Sequence, residues 1–166
     1  MPAAPTDEVD RIVDAWRRER PDLDVAPLTI LSRVLRLARH LDLARGSAFA
    51  EHGLEGWGFD VLSALRREGA PYELSPGQLV AQTLVTSGTM TNRVDRLVDR
   101  GFVVRHPDPH DRRGVIVALT PAGREVVDAA LSDLLDREHG LLADLSAAEQ
   151  SRLSATLRSL LGPFDA

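Results

Sequence analysis

The chain has no cysteine and no lysine among its 166 residues. The first absence excludes disulfides, thiolate redox sensing and Cys-ligated zinc in one step. The second leaves Arg as the sole basic residue type, 20 in all, which we read as a codon-usage effect of a GC-rich genome. Aromatic residues are scarce, at 4%. No apolar run approaches the roughly 20 residues needed to span a bilayer. The opening MPAAPTDEVDR has neither the basic n-region nor the apolar h-region of a signal peptide. Together these features lead to the expectation of a cytoplasmic protein with no membrane partner.

Enzymatic chemistry finds no footing. There is no phosphate-cradling glycine loop, no nucleophile elbow and no pair of carboxylates at a meaningful spacing. We therefore expect a non-enzyme without a cofactor. His106 and His110 flank Pro-Asp-Pro but lack a third ligand, so no metal site is expected.

What is present is a soluble composition, 43% hydrophobic and 27% charged, with a net charge of −5. The distribution of charge says more than its total. Residues 86–123 carry six Arg against four Asp, a surplus of +2, whereas residues 1–30 stand at −3 and residues 124–166 at −4. A local basic patch, rather than the total, sets the electrostatic footprint on DNA.

Helix signals recur along the chain. The spacing of Val9, Ile12, Val13 and Trp16 predicts a first helix over 6–19, with Thr6 as its cap. Pro27 opens a long second helix to about Glu51, with Leu31, Val34, Leu35, Ala38 and Leu41 on one stripe. A third runs from about Trp57 to Glu68. Ser75, Pro76 and Gln78 read as a cap, first-turn proline and capping box for a fourth. Thr83–Val85 form a turn, and Thr86 caps a fifth helix from Ser87 to Arg100, stopped by Gly101. Phe102–Arg105 and Val115–Leu119 alternate as strands around the loop HPDPHDRRG. Thr120-Pro121 starts a sixth helix to about Leu142, and the Ser146/Glu149 box starts a last one to about Leu161.

In the fifth helix, Met90, Val94, Leu97 and Val98 share an inward face at helical spacing. Thr89, Asn92, Arg96 and Asp99 fall opposite. Thr and Asn can read base edges, and Arg can take guanine or phosphate. Ser87 at the helix start can bond a phosphate, helped by the helix dipole. In the loop, an Arg of the run Asp111-Arg112-Arg113 can enter a narrow minor groove, with Asp111 fixing its rotamer. The bland alternatives are a solvated helix face and an exposed charged turn. A turn-linked helix pair beside a basic hairpin suits duplex DNA better than either.

The pattern D-P-x-D-R-R-x-x-x-V-x-L-T-x-x-G, Asp108 to Gly123, resembles the signature of the MarR family of winged-helix regulators. The preceding SGTMTNRVDRLVDRGFVVR resembles that family's recognition helix and first wing strand. The resemblance runs from about residue 28 to 161. It implies a mainly α fold with a small β-wing (α+β): a winged helix-turn-helix with a helical dimerisation region from both chain ends. Three segments are expected: 1–54 with the N-terminal helices, 55–120 as the DNA-binding region, and 121–166 as C-terminal dimerisation helices. It also implies a homodimer on a pseudo-palindromic operator, with half-sites about one helical turn apart. Arg113 is then the minor-groove residue and Asp111 its support. The apolar load of the sixth helix, Val126 through Leu142, fits a dimer interface; intramolecular packing is the alternative.

The helix carrying Trp16, ahead of the long second helix, resembles the PecS-type, urate-responsive branch of that family. The resemblance implies a urate site at Trp16, Asp60, Arg93 and Arg105, Trp16 matching by context alone. The chemistry is coherent in itself. Urate is a flat anion with ring N–H donors and carbonyl acceptors. An indole supplies an apolar wall, Arg planar bidentate donors, and a carboxylate an acceptor. Each residue also has a structural reading: Trp16 as a packing aromatic, Asp60 as half of a buried pair, Arg93 as a phosphate ligand, Arg105 as the partner of a wing Asp. The expected function is a ligand-responsive regulator, a repressor released from its operator by urate or a related purine. A phenolic or aromatic carboxylate effector is the first alternative, and a protein-interaction module without DNA binding the second.

Overall fold

The computed structural model describes residues 6–109, 111 and 114–164. The elements are α1 (Glu8–Glu19), α2 (Leu28–Glu51), α3 (Gly56–Arg67), β1 (Glu73–Leu74), α4 (Pro76–Thr83), α5 (Ser87–Asp99), β2 (Val103–Pro107), β3 (Val115–Leu119), α6 (Pro121–Leu142) and α7 (Ala147–Leu161). A short 3-10 turn, Gly162–Phe164, follows. The chain divides into two compact units, Met1–Gly46 and Ser47–Ala166, and α2 runs through the boundary.

In the first unit, α1 is capped by Asp7 rather than by Thr6. Both are good capping types, but a capping box needs an acceptor three residues on. Asp7 has Asp10 there, and Thr6 has only Val9. The two carboxylates and their backbone N–H groups satisfy each other at 2.9 and 3.0 Å. Arg33 on α2 then bridges both, at 2.7–3.0 Å. The Arg33 guanidinium holds the Asp7 carboxyl below its ordinary value, and the backbone N–H bond within the box does the same for Asp10. Val9, Val13 and Val25 form the unit's small buried cluster. Trp16 lies outside that cluster and is 48% exposed.

The second unit holds the main core, which includes Phe49, Leu62, Leu65, Leu79, Met90 and Leu97. Phe49 and Phe59 stack with centroids 4.1 Å apart. The sheet runs β1-β3-β2, all antiparallel. Register pairs Val103 with Leu119 and Pro107 with Val115. β1 is only two residues long, and its pairing with β3 defines it.

The junction between hairpin and α6 is tight. Thr120 caps α6 by accepting from Gly123 N–H at 3.0 Å, while its hydroxyl reaches the carbonyls of Gly101 and Phe102. A Cβ on Gly123 would meet the Phe102 carbonyl oxygen at 2.1 Å. This is the physical reason for the glycine that closes the sequence motif. Gly101, with φ +73, lets the chain reverse from α5 into β2.

Candidate nucleic-acid interface

The helix-turn-helix is built by α4 and α5. Ser75 and Gln78 form the expected capping box of α4, with Pro76 at its first turn. The chain then turns at Leu84, which takes the left-handed conformation (φ 53) and is 92% exposed. Thr86 caps α5 by accepting from Thr89 N–H at 3.3 Å, and its hydroxyl shares a 2.9 Å bond with the Thr89 hydroxyl. Met90, Val94 and Leu97 are buried to 1% or less. Val98, expected inward with them, is 37% exposed. At about 100° per residue it stands about 80° from Met90, at the edge of the buried arc.

The outward face presents Ser87, Thr89, Asn92, Arg96 and Asp99, all exposed. Arg96 is held there. Its Nη2 donates to Glu55 Oε1 at 2.6 Å, and its guanidinium lies over the Trp57 ring at 4.5 Å. Arg93, half-buried on the flank, lies over the same ring at 5.9 Å. Trp57, Gly88, Thr89, Asn92, Arg93 and Arg96 line a shallow notch of about 360 Å³. Asp60 lies one turn after Trp57 on α3, on the same side by helical spacing, and is exposed. It is not the buried carboxylate its apolar neighbours suggested.

Arg105 lies elsewhere. It pairs with Asp95 and donates to the Thr91 carbonyl at 3.3 Å. Thr91 and Asp95 stand about 100° and 140° round α5 from Met90, while Arg93 stands about 60° the other way. Arg93 and Arg105 thus lie on opposite flanks of the recognition helix. Trp16 belongs to the N-terminal unit.

Among the hairpin residues, Asp111 is exposed and its carbonyl accepts from Gly114 N–H at 2.8 Å, closing the loop with a 3.0 Å bond from Asp108 N–H to the Gly114 carbonyl. Arg112 and Arg113, the expected groove-entering residues, lie outside the described residues, as does His110. Near the loop end of the hairpin, His106 Nε2 pairs with Glu73 Oε1 at 3.0 Å across the sheet. Its own ring contact with the Pro107 carbonyl, together with Glu73, raises the imidazole above its ordinary value. Sequence reasoning missed Trp57 and Glu55 as partners of Arg96. They lie 39 and 41 positions away in the chain, and no local pattern joins them.

A family model described as MarR family matches residues 52–114. The HTH-type transcriptional regulator PecS of Dickeya dadantii is 37% identical over 150 residues, covering 90% of this chain and 90% of PecS. The chain belongs to the MarR family of transcriptional regulators. Two solved structures are similar to it. A mutant MarR from E. coli, complexed with operator DNA, superposes with a TM-score of 0.69 at 27% identity, covering 84% of this chain and 99% of that one. BpsR of Bordetella bronchiseptica, a protein whose DNA binding is regulated by 6-hydroxynicotinic acid, superposes at 0.60 with 28% identity over 77% of this chain and 98% of its own. The winged MarR fold, with its three-stranded antiparallel sheet and α4–α5 pair, is the one found here. Among the described residues, no helix is long and apolar enough to cross a membrane.

Proposed function

We propose that this regulator binds a pseudo-palindromic operator as a homodimer, acts as a repressor, and is released by a flat heteroaromatic anion of the urate or purine type. The observation that carries the DNA reading is the division of α5. Its inner face is sealed by Met90, Val94 and Leu97, while Ser87, Thr89, Asn92 and Arg96 stand outward on a rigid, doubly capped scaffold. Such a helix enters the major groove with its N-terminal half first. Ser87 takes a phosphate, Thr89 and Asn92 read base edges, and Arg96 takes guanine or phosphate. Asp111, Arg112 and Arg113 serve the adjacent minor groove.

Dimerisation follows from uncovered apolar surface. Leu142, Leu153, Leu157 and Leu161 line a groove of about 470 Å³ along α6 and α7, and none of α7 is buried. In the other unit, α2 leaves Leu31, Val34 and Leu35 exposed. A second copy is the proposed cover for both stripes.

For the effector, the Trp57–Arg93–Arg96 notch offers an indole wall and two guanidinium groups, with Asp60 a turn away as an N–H acceptor. A purine anion held by Arg93 would disturb the helix that reads DNA, which couples the two sites. Arg105, paired with Asp95 on the other flank, stays in the proposed set on the resemblance alone. Trp16, in the N-terminal unit, is proposed separately on the resemblance alone, and Trp16→Leu should blunt the urate response of operator binding. The similarity to BpsR favours a second reading, in which the effector is a hydroxylated aromatic carboxylate.

Fluorescence anisotropy on the duplex upstream of the protein's own gene tests both levels. Binding should weaken steeply with salt. Urate should then release the DNA at micromolar to millimolar levels, ahead of xanthine and salicylate. Salt-insensitive or absent binding would defeat the DNA reading. Release by salicylate alone would select the second effector reading.

A further inference from the structure

We propose that Glu55 is an internal counter-anion of the reading surface: it holds Arg96 in the free protein, and DNA must take that guanidinium from it, so that Glu55 lowers the affinity for duplex DNA. This rests on the reading of α5 as the DNA-contacting helix.

Glu55 occupies the N-cap position of α3, yet its side chain caps nothing. Its two carboxylate oxygens turn instead to the recognition helix. Oε1 accepts from Arg96 at 2.6 Å and Oε2 from Arg100 at 3.2 Å. The two arginines are held unequally. Arg100 is also bound to the Gly53 carbonyl at 2.5 Å and lies over the Phe102 ring at 4.8 Å. Among the described residues, Arg96 has the Trp57 face besides Glu55, and its side chain is 52% exposed against 32% for Arg100. Arg100 is therefore the fixed partner and Arg96 the releasable one. Arg96 also shares the notch with Thr89 and Asn92, two of the proposed base readers.

The exchange differs between DNA sequences. On random duplex, Arg96 trades a carboxylate for a phosphate, one charge-assisted bond for another. On the operator it can gain a bidentate guanine contact that the carboxylate does not match. The cost of taking Arg96 from the carboxylate is the same in both cases, so Glu55 lowers both affinities by about the same factor, and the operator keeps its advantage through the guanine contact. Released from Arg96, the Glu55 carboxylate takes up a cation, which offsets part of the counterion release and flattens the salt dependence.

The test compares full-length wild type with Glu55→Gln on operator and scrambled duplexes across a salt series. The carboxamide keeps the shape and removes the charge. Affinity for both duplexes should rise by a similar factor, about five- to tenfold. The slope of log affinity against log salt should steepen by up to about one. Arg100→Gln, which leaves Glu55 to Arg96 alone, should weaken scrambled binding about threefold. Unchanged affinities and slope in Glu55→Gln, or weaker binding to both duplexes, would overturn the proposal and make Glu55 a strut. Failure of the wild type to bind either duplex would instead defeat the reading on which the proposal rests.

Discussion

Helices α5 and α7 are of similar length and both carry apolar residues at helical spacing, yet they end differently. α5 buries Met90, Val94 and Leu97 almost completely against α3, α4 and the sheet. α7 buries nothing: Leu153, Leu157, Leu160 and Leu161 remain 39–55% exposed. Amphipathic periodicity states that a face needs cover; it does not state what covers it. For α5 the cover is the same chain, which leaves its polar face free to read. For α7 we assign the cover to a second copy.

The largest effect should come from α7. Leu157→Asp with Leu161→Asp should convert the dimer to monomer in sedimentation equilibrium. Operator affinity should fall by a hundredfold or more, because the second half-site contact is no longer tethered to the first. A monomer that retained full operator affinity would break the comparison.

Changes in the sealed region should act on stability instead. Met90→Ala removes a fully buried side chain from under α5. It should cost about 3 kcal/mol in denaturant unfolding. Gly123→Ala places a methyl against the Phe102 carbonyl and should cost about 2–3 kcal/mol. Neither should alter the monomer–dimer constant of the folded protein. Destabilisation below about 1 kcal/mol in both would mean the junction is softer than its packing implies.

The smallest effect concerns pH. His106 gains Glu73 and the Pro107 carbonyl on folding, and its folded pKa lies above the ordinary value of 6.5. A raised histidine stabilises when charged, so the contribution is complete below that ordinary value and lost as pH rises through the raised one. The pair is surface-exposed, so the change should be slight. His106→Gln should remove this pH dependence of unfolding, and retention of the same profile would place its origin elsewhere.

Much of this was legible in the sequence where the signal was local. The Ser75/Gln78 and Ser146/Glu149 boxes, the Thr86 and Thr120 caps and the Val115–Leu119 strand each depend on residues within four positions, and each is found as read. Strand β1 was not legible, because two residues hold no periodicity and only pairing with β3 makes them a strand. Val98 was assigned inward by a period that leaves its arc ambiguous. The partners of Arg96 escaped for another reason. Glu55 and Trp57 meet it only after α3 has packed beside α5, and a contact across some 40 residues leaves no pattern in a single chain. The four residues named for the effector show the same limit. The resemblance marked them as a set, but Arg93 and Arg105 lie on opposite flanks of one helix.

The central claim is that α5 is both reader and part of the sensor. The most direct measurement is the operator Kd as a function of urate, taken in parallel for wild type and Arg93→Ala. The account predicts that wild-type affinity falls at least tenfold across the micromolar to millimolar range while Arg93→Ala, with near wild-type affinity without urate, shifts by less than about twofold. An equal shift in both proteins, or none in the wild type, would contradict it.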